Sequence, residues 1–141
     1  METINRNAIT VSAIINAGID KVWTLFNDPK AITEWCTGHP DWHTPSSEND
    51  LRVGGKFKHR MEAKDGSMGF DFEGTYSTVN ENKLIEYSIA DGRKVKITFE
   101  QEGNSVKLTE VFEAENMNSE DMQRAGWQGI LDNFKQYAET H

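Results

Sequence analysis

Cysteine is almost missing from this 141-residue chain: Cys36 stands alone, so no disulfide can form within it and a disulfide-stapled scaffold is excluded. Long apolar runs are missing too. None approaches the roughly 20 residues that a membrane-spanning helix requires. Residues 1–7 lack a basic segment leading into an apolar stretch, so no secretory signal is expected there. Positive charge is scarce, with 15 Lys and Arg against 23 Asp and Glu and a net charge of −8. That balance argues against nucleic acid as a partner and against a polybasic membrane contact. A cytoplasmic protein is the expectation, and 141 residues suffice for one domain with a proper core.

What is present is a succession of periodic segments. Ile9, Val11, Ala13 and Ile15 alternate with more polar neighbours and predict a strand over residues 9–16. After Gly18, Asp20 is placed to cap a helix bearing Val22, Trp23, Leu25 and Phe26. Asp28-Pro29 closes that helix and opens a second, because Pro suits a first helical turn; Ile32, Trp35 and Cys36 give it a buried side. Residues 37–50 show no periodicity and contain Pro40 and Pro45. They read as a loop folding over a pocket mouth.

Further on, two-residue alternation dominates. Phe57, His59 and Met61 share one face; Phe70, Phe72, Gly74 and Tyr76 share the next. Ile85, Tyr87 and Ile89, then Val95, Ile97 and Phe99, then Val106, Leu108, Glu110 and Phe112 continue the pattern. Asp65-Gly66, Asp91-Gly92 and Gly103-Asn104 supply the turns. About six antiparallel strands result, each with one wet and one dry face. A long helix over residues 119–139 follows, capped by Asn118 or Ser119. Trp127, Ile130, Leu131, Phe134, Tyr137 and Ala138 form its buried stripe. The expected fold is α+β: a curved antiparallel sheet, with two short helices after the first strand, wrapped around the C-terminal helix.

The motifs Arg52-Val53-Gly54-Gly55, Phe72-x-Gly74-x-Tyr76 and Gly126-Trp127, with Trp23 and Trp35 on the early helices, carry a resemblance over residues 8–138. The chain resembles the START-like (SRPBCC, Bet v 1-like) superfamily, in the branch named for homologues of the heat-shock-protein-90 ATPase activator. That resemblance implies a helix-grip fold with a cavity between sheet and helix. It also implies a hydrophobic or aromatic small molecule or lipid as ligand, and a chaperone or other protein as the alternative partner.

Candidate site residues follow from the dry faces. Phe57, Met61, Phe70, Phe72, Tyr87, Phe99, Phe112, Trp127 and Ile130 are expected to line the interior, with Trp35 and Trp42 near an entrance. They describe either a binding cavity or a filled core. Gly126 and Gly129 leave a strip without side chains on the long helix, suited to close packing or to ligand room. Two polar residues fall on dry faces, His59 and Glu110, and a buried polar group needs a partner or a shifted pKa. The two are expected to pair across the sheet or to orient a polar ligand group, and they are the one candidate pair for acid–base chemistry. No catalytic residue and no cofactor is assigned. Cys36-x-x-His39-x-Asp41-x-His43 contains four metal-ligand types, but its spacing matches no standard zinc site, so no metal is assigned either.

Overall fold

The computed structural model describes residues 7–37 and 40–141. Its elements run β1 (Ala8–Ile15), α1 (Ile19–Asn27), α2 (Pro29–Trp35), β2 (Trp42–Asn49), β3 (Lys56–Ala63), β4 (Gly69–Asn80), β5 (Leu84–Ile89), β6 (Lys94–Glu102), β7 (Ser105–Glu113) and α3 (Glu120–Thr140). The seven strands form one antiparallel sheet in the order β1-β7-β6-β5-β4-β3-β2. From β3 onward every strand therefore neighbours the one before it in the chain, whereas β2 lies at the opposite edge from β1. Strand β1 lies beside β7, and α1 and α2 carry the chain from one edge of the sheet to the other. This curled sheet with its terminal helix is the α+β helix-grip arrangement.

One strand was not foreseen. Residues 42–49, expected as loop, pair as β2 with β3, with a register break between His43 and Ser46. Pro45 lies in that break, and β2 is the sheet edge, so the missing N–H of proline removes no ladder bond to a second neighbour. The alternation is blurred there by Pro45, Ser46 and Ser47, which explains why periodicity does not reveal the strand.

Helix ends follow simple capping chemistry. Ser119 caps α3 by accepting from the Met122 N–H at 3.1 Å, and Glu120 and Asp121 sit in the first turn. Asp28 ends α1 and caps α2 through the Lys30 N–H at 3.3 Å. Asp20 does not cap α1 as expected. Gly18 occupies that position with an extended backbone, and Asp20 lies in the first turn of the helix.

The two glycine motifs have distinct structural reasons. Gly54 has φ +83° and leads into β3, its N–H donating to the Tyr76 carbonyl at 2.9 Å. A Cβ on Gly55 would lie 2.1 Å from the Asp50 carbonyl oxygen, so the β2–β3 turn closes only over a bare backbone. At Gly74 a Cβ would meet the Phe57 ring at 2.8 Å and the Ser88 carbonyl at 2.6 Å. The aromatic ring of Phe57 thus lies directly on the β4 backbone.

Helix α3 packs chiefly along β1 and also touches α1 and α2. Its polar side chains hold the edge of that strand: Gln128 donates to the Ser12 carbonyl at 3.1 Å and Lys135 to that of Ile14 at 2.6 Å. Ile9, Ile15, Val22, Val106, Leu108, Leu131 and Phe134 are fully buried. The helix lies over one end of the sheet, and over β3, β4 and β5 a space remains.

Candidate functional site: a lined cavity between sheet and helix

That space is a cavity of about 310 Å³. Its aromatic wall comes from alternate residues of neighbouring strands. Phe57 is central, with Tyr87 at 4.7 Å, His59 at 5.0 Å, Tyr76 at 5.4 Å and Phe72 at 5.6 Å between ring centroids. Trp127 of α3 closes the opposite side, stacked flat on Phe112 with centroids 4.0 Å apart. Phe26 and Trp35 form the partition toward the solid part of the core, where they meet Phe134 at 5.1 and 4.8 Å. The rim is at Phe70, the one lining side chain more than a third exposed, at 47%.

Polar groups converge on this apolar space, and burial keeps them uncharged. Glu110 projects from β7 between Leu108 and Phe112 and is 7% exposed, and burial pushes its carboxyl up to about 8. Cys36, just past α2, is raised to about 12 by burial and then by the Glu110 charge. Burial followed by Glu110 also raises the Tyr87 phenol well above its ordinary value. Carboxyl, thiol and phenol therefore form one acidic corner. His59 is held down to about 4 by burial, with its Nδ1 2.8 Å from Ser47 Oγ. Tyr76 donates to Asn49 Oδ1, and Asn49 in turn donates to the Asn27 carbonyl at 2.8 Å, tying the edge strand to α1. At the other end Gln123, buried in α3, donates to the Glu115 and Asn118 carbonyls.

A family model described as "Activator of Hsp90 ATPase homolog 1-like protein" matches residues 16–139. The chain belongs to this family. A solution structure of an AHSA1-like protein from Aeromonas hydrophila is similar at 45% identity, covering 95% of this chain and 93% of that one, with a TM-score of 0.89. A solution structure from Cytophaga hutchinsonii is 48% identical over 94% of this chain and 92% of its own, with a TM-score of 0.82. A crystal structure from Chromobacterium violaceum, 23% identical over 94% and 97% with a TM-score of 0.82, shares the fold. No match is found among curated proteins.

Most of the expected lining of this family member is in place: Trp35, Phe57, His59, Met61, Phe70, Phe72, Tyr87, Glu110, Trp127 and Ile130 all border the cavity. Five expectations are corrected. Phe99 faces inward but is covered by Trp23 and Phe26, at 5.0 and 5.5 Å. Phe112 is hidden behind Trp127. Trp42 lies outside, against Phe70 at 6.0 Å. Gly126 is on the exposed side of α3, where a Cβ would meet nothing within 4 Å. Trp35 is also a buried wall residue, 6% exposed, rather than an entrance residue.

His59 and Glu110 do not pair. They sit four strand positions apart, and burial is the leading cause of the shift at each. Within the Cys36-to-His43 sequence, His39 lies outside the described residues, and His43 is exposed near Glu62 at 4.0 Å while Cys36 is buried at the cavity. Sequence reasoning missed Tyr76, Ile85 and Ile97 as lining, although all three share the inward phase it had identified. It missed Phe26, Ile32 and Cys36, which it had assigned only to buried helix faces. Asn27, Asn49, Arg93, Glu115 and Gln123 sit at element ends, and no local pattern marks them.

Proposed function

We propose that this protein binds an apolar, aromatic-bearing small molecule in the cavity between β3–β7 and α3. The observation that carries the reading is the cavity itself. At about 310 Å³ it falls at the lower end of the range for small-molecule sites, and its lining is aromatic with a few convergent polar groups. A filled interior would have favoured a protein-interaction role, and the hollow supports a ligand instead. We assign no catalytic role. His59 and Glu110 are separated, and a binding protein needs only that the polar groups orient its ligand. A single buried cysteine suits a reducing cytoplasm.

Native mass spectrometry of the purified protein, beside a thermal-shift screen of fatty acids, sterols, flavonoids and simple aromatics, tests this reading. A co-purified mass or a saturable shift is expected. Either should vanish in Ile130→Trp, which fills the cavity from α3. Absence of both in the wild type sinks the reading and moves attention to a protein partner.

A further inference from the structure

Among the described residues two carboxyls are buried, and Glu113 accepts from the Lys94 N–H at 2.7 Å while Glu110 is left without such a partner. Its backbone is fixed between Val11 of β1 and Ile97 of β6, so its side chain is committed to the inner face. It lines the cavity at 7% exposure, and among the described residues it has no hydrogen-bond or ion-pair partner. Buried carboxyls are ordinarily partnered, because an unsatisfied one is costly. A carboxyl aimed into an enclosed apolar space without a partner is a receptor for something brought from outside.

We propose that the cavity takes an amine carried on an aromatic body, with its ammonium group paired to Glu110. The proposal rests on the small-molecule reading above and names the ligand class of that same site. Three features favour a cation over a neutral polar group. Glu110 stands with Tyr87 and Cys36, whose oxygen and sulfur offer further acceptors to an ammonium. Phe57, Phe72 and Trp127 place aromatic rings on the cavity wall, and aromatic rings attract cations. The protein carries a net charge of −8, which draws cations toward it.

The other titratable groups around the cavity are engaged with protein partners, and Arg93 is the one among them whose positive charge also reaches Tyr87. Arg93 is held by Asp91 at 2.8 Å. Glu115 accepts from the Asn118 N–H and side-chain amide at 2.7 and 2.8 Å. His59 is engaged with Ser47 and stays neutral, and Tyr76 is engaged with Asn49. Helix α3 contributes Gln123, Trp127 and Ile130 to the lining and no charge.

The chemistry of binding is a proton exchange. In the empty cavity at pH 7 the Glu110 carboxyl is mostly protonated, since burial holds it near 8. An incoming ammonium ion stabilises the carboxylate, and the carboxyl proton passes to the solvent. Close to one proton should leave for each amine bound at pH 7, and amine affinity should rise with pH until Glu110 is ionised on its own.

Isothermal titration with 1-naphthylmethylamine and its uncharged counterpart 1-naphthalenemethanol tests this, at pH 6, 7 and 8 in two buffers of different ionisation enthalpy. The amine should bind at least about tenfold tighter than the alcohol at pH 8. Its affinity should fall roughly fiftyfold from pH 8 to pH 6 while that of the alcohol stays level. Glu110→Gln should lose the preference for amine and the pH dependence of amine binding, and a circular-dichroism spectrum and cooperative thermal melt like those of the wild type verify that it folds. Equal affinity for the two probes, amine binding indifferent to pH, or a preference that survives in Glu110→Gln would each overturn the proposal and leave the small-molecule reading standing. Failure of both probes to bind would also overturn the amine proposal, and the native mass spectra and thermal-shift screen would then decide the small-molecule reading separately.

Discussion

The interior has two ends built from the same residue types, and they differ in how those residues meet. At the end under α1 and α2, Trp23, Phe26, Trp35, Phe99 and Phe134 contact one another mostly edge to face, with centroids 4.8–5.5 Å apart. In that cluster the Trp35 indole donates to the Leu25 carbonyl at 3.0 Å. At the other end Phe57, Phe72, Tyr76, Tyr87 and Trp127 surround space instead, and Glu110 and His59 share it. Aromatic content does not decide between a solid and a hollow core. What decides is how far the helices reach: α1, α2 and α3 cover one end, while the sheet curls away from α3 over β3, β4 and β5.

The sharpest way to break this comparison is to remove one ring from each end. Phe134 is fully buried among rings, so Phe134→Ala should cost about 3–5 kcal/mol of stability. Phe72 is partly exposed and borders a void, so Phe72→Ala should cost only about 1–2 kcal/mol. Urea unfolding of the two variants measures the difference. Equal losses would mean that the cavity end is packed as tightly as the other.

Proton linkage offers the next test, because it acts only at the hollow end. Glu110 has a folded pKa raised from 4.5 to about 8, so its contribution is fully present below pH 4.5 and is lost as pH rises toward 8. His59 has a folded pKa depressed from 6.5 to about 4. Its contribution is present above pH 6.5 and is lost as pH falls toward 4. The two slopes oppose each other between pH 4.5 and 6.5, and above that window Glu110 acts alone. Glu110→Gln should therefore be more stable than the wild type at pH 8, by about 2–4 kcal/mol, with the gap narrowing toward pH 5. Denaturation series at several pH values would show it, and a gap that does not change with pH would contradict the assignment of Glu110 as the titrating group.

Much of this was legible from the chain because strands paired on both sides print their two faces into the sequence. The inward phase of β3, β5, β6 and β7, including the unusual positions of His59 and Glu110, follows from two-residue alternation alone. Strand β2 does not, since an edge strand with Pro45 has little alternation to print. Nor does period reveal depth along a concave face. Phe99 and Phe112 point inward as firmly as Phe57, yet Trp23 and Trp127 cover them, and those contacts arise from helices distant in sequence. The inward aim of Glu110 was readable for the same reason, whereas its lack of a partner depends on the whole assembly around it.

Glycines on the two sides of the cavity give two smaller effects, of opposite sign. At Gly74 the Phe57 ring and the Ser88 carbonyl occupy the place of a Cβ, so Gly74→Ala must push the ring or bend β4 and should cost about 1–3 kcal/mol. At Gly126 nothing lies within 4 Å of a Cβ, and the residue follows the first turn of α3 on its exposed side. One residue along a helix is a rotation of about 100°, which carries Gly126 off the buried stripe to which Trp127 belongs. The helix then gains only lower backbone entropy from a side chain there, so Gly126→Ala should add up to about 1 kcal/mol and leave ligand binding unchanged. A loss of binding in Gly126→Ala would mean that α3 approaches the cavity with a different face, and the assignment of Trp127 and Ile130 as its wall would have to be redrawn.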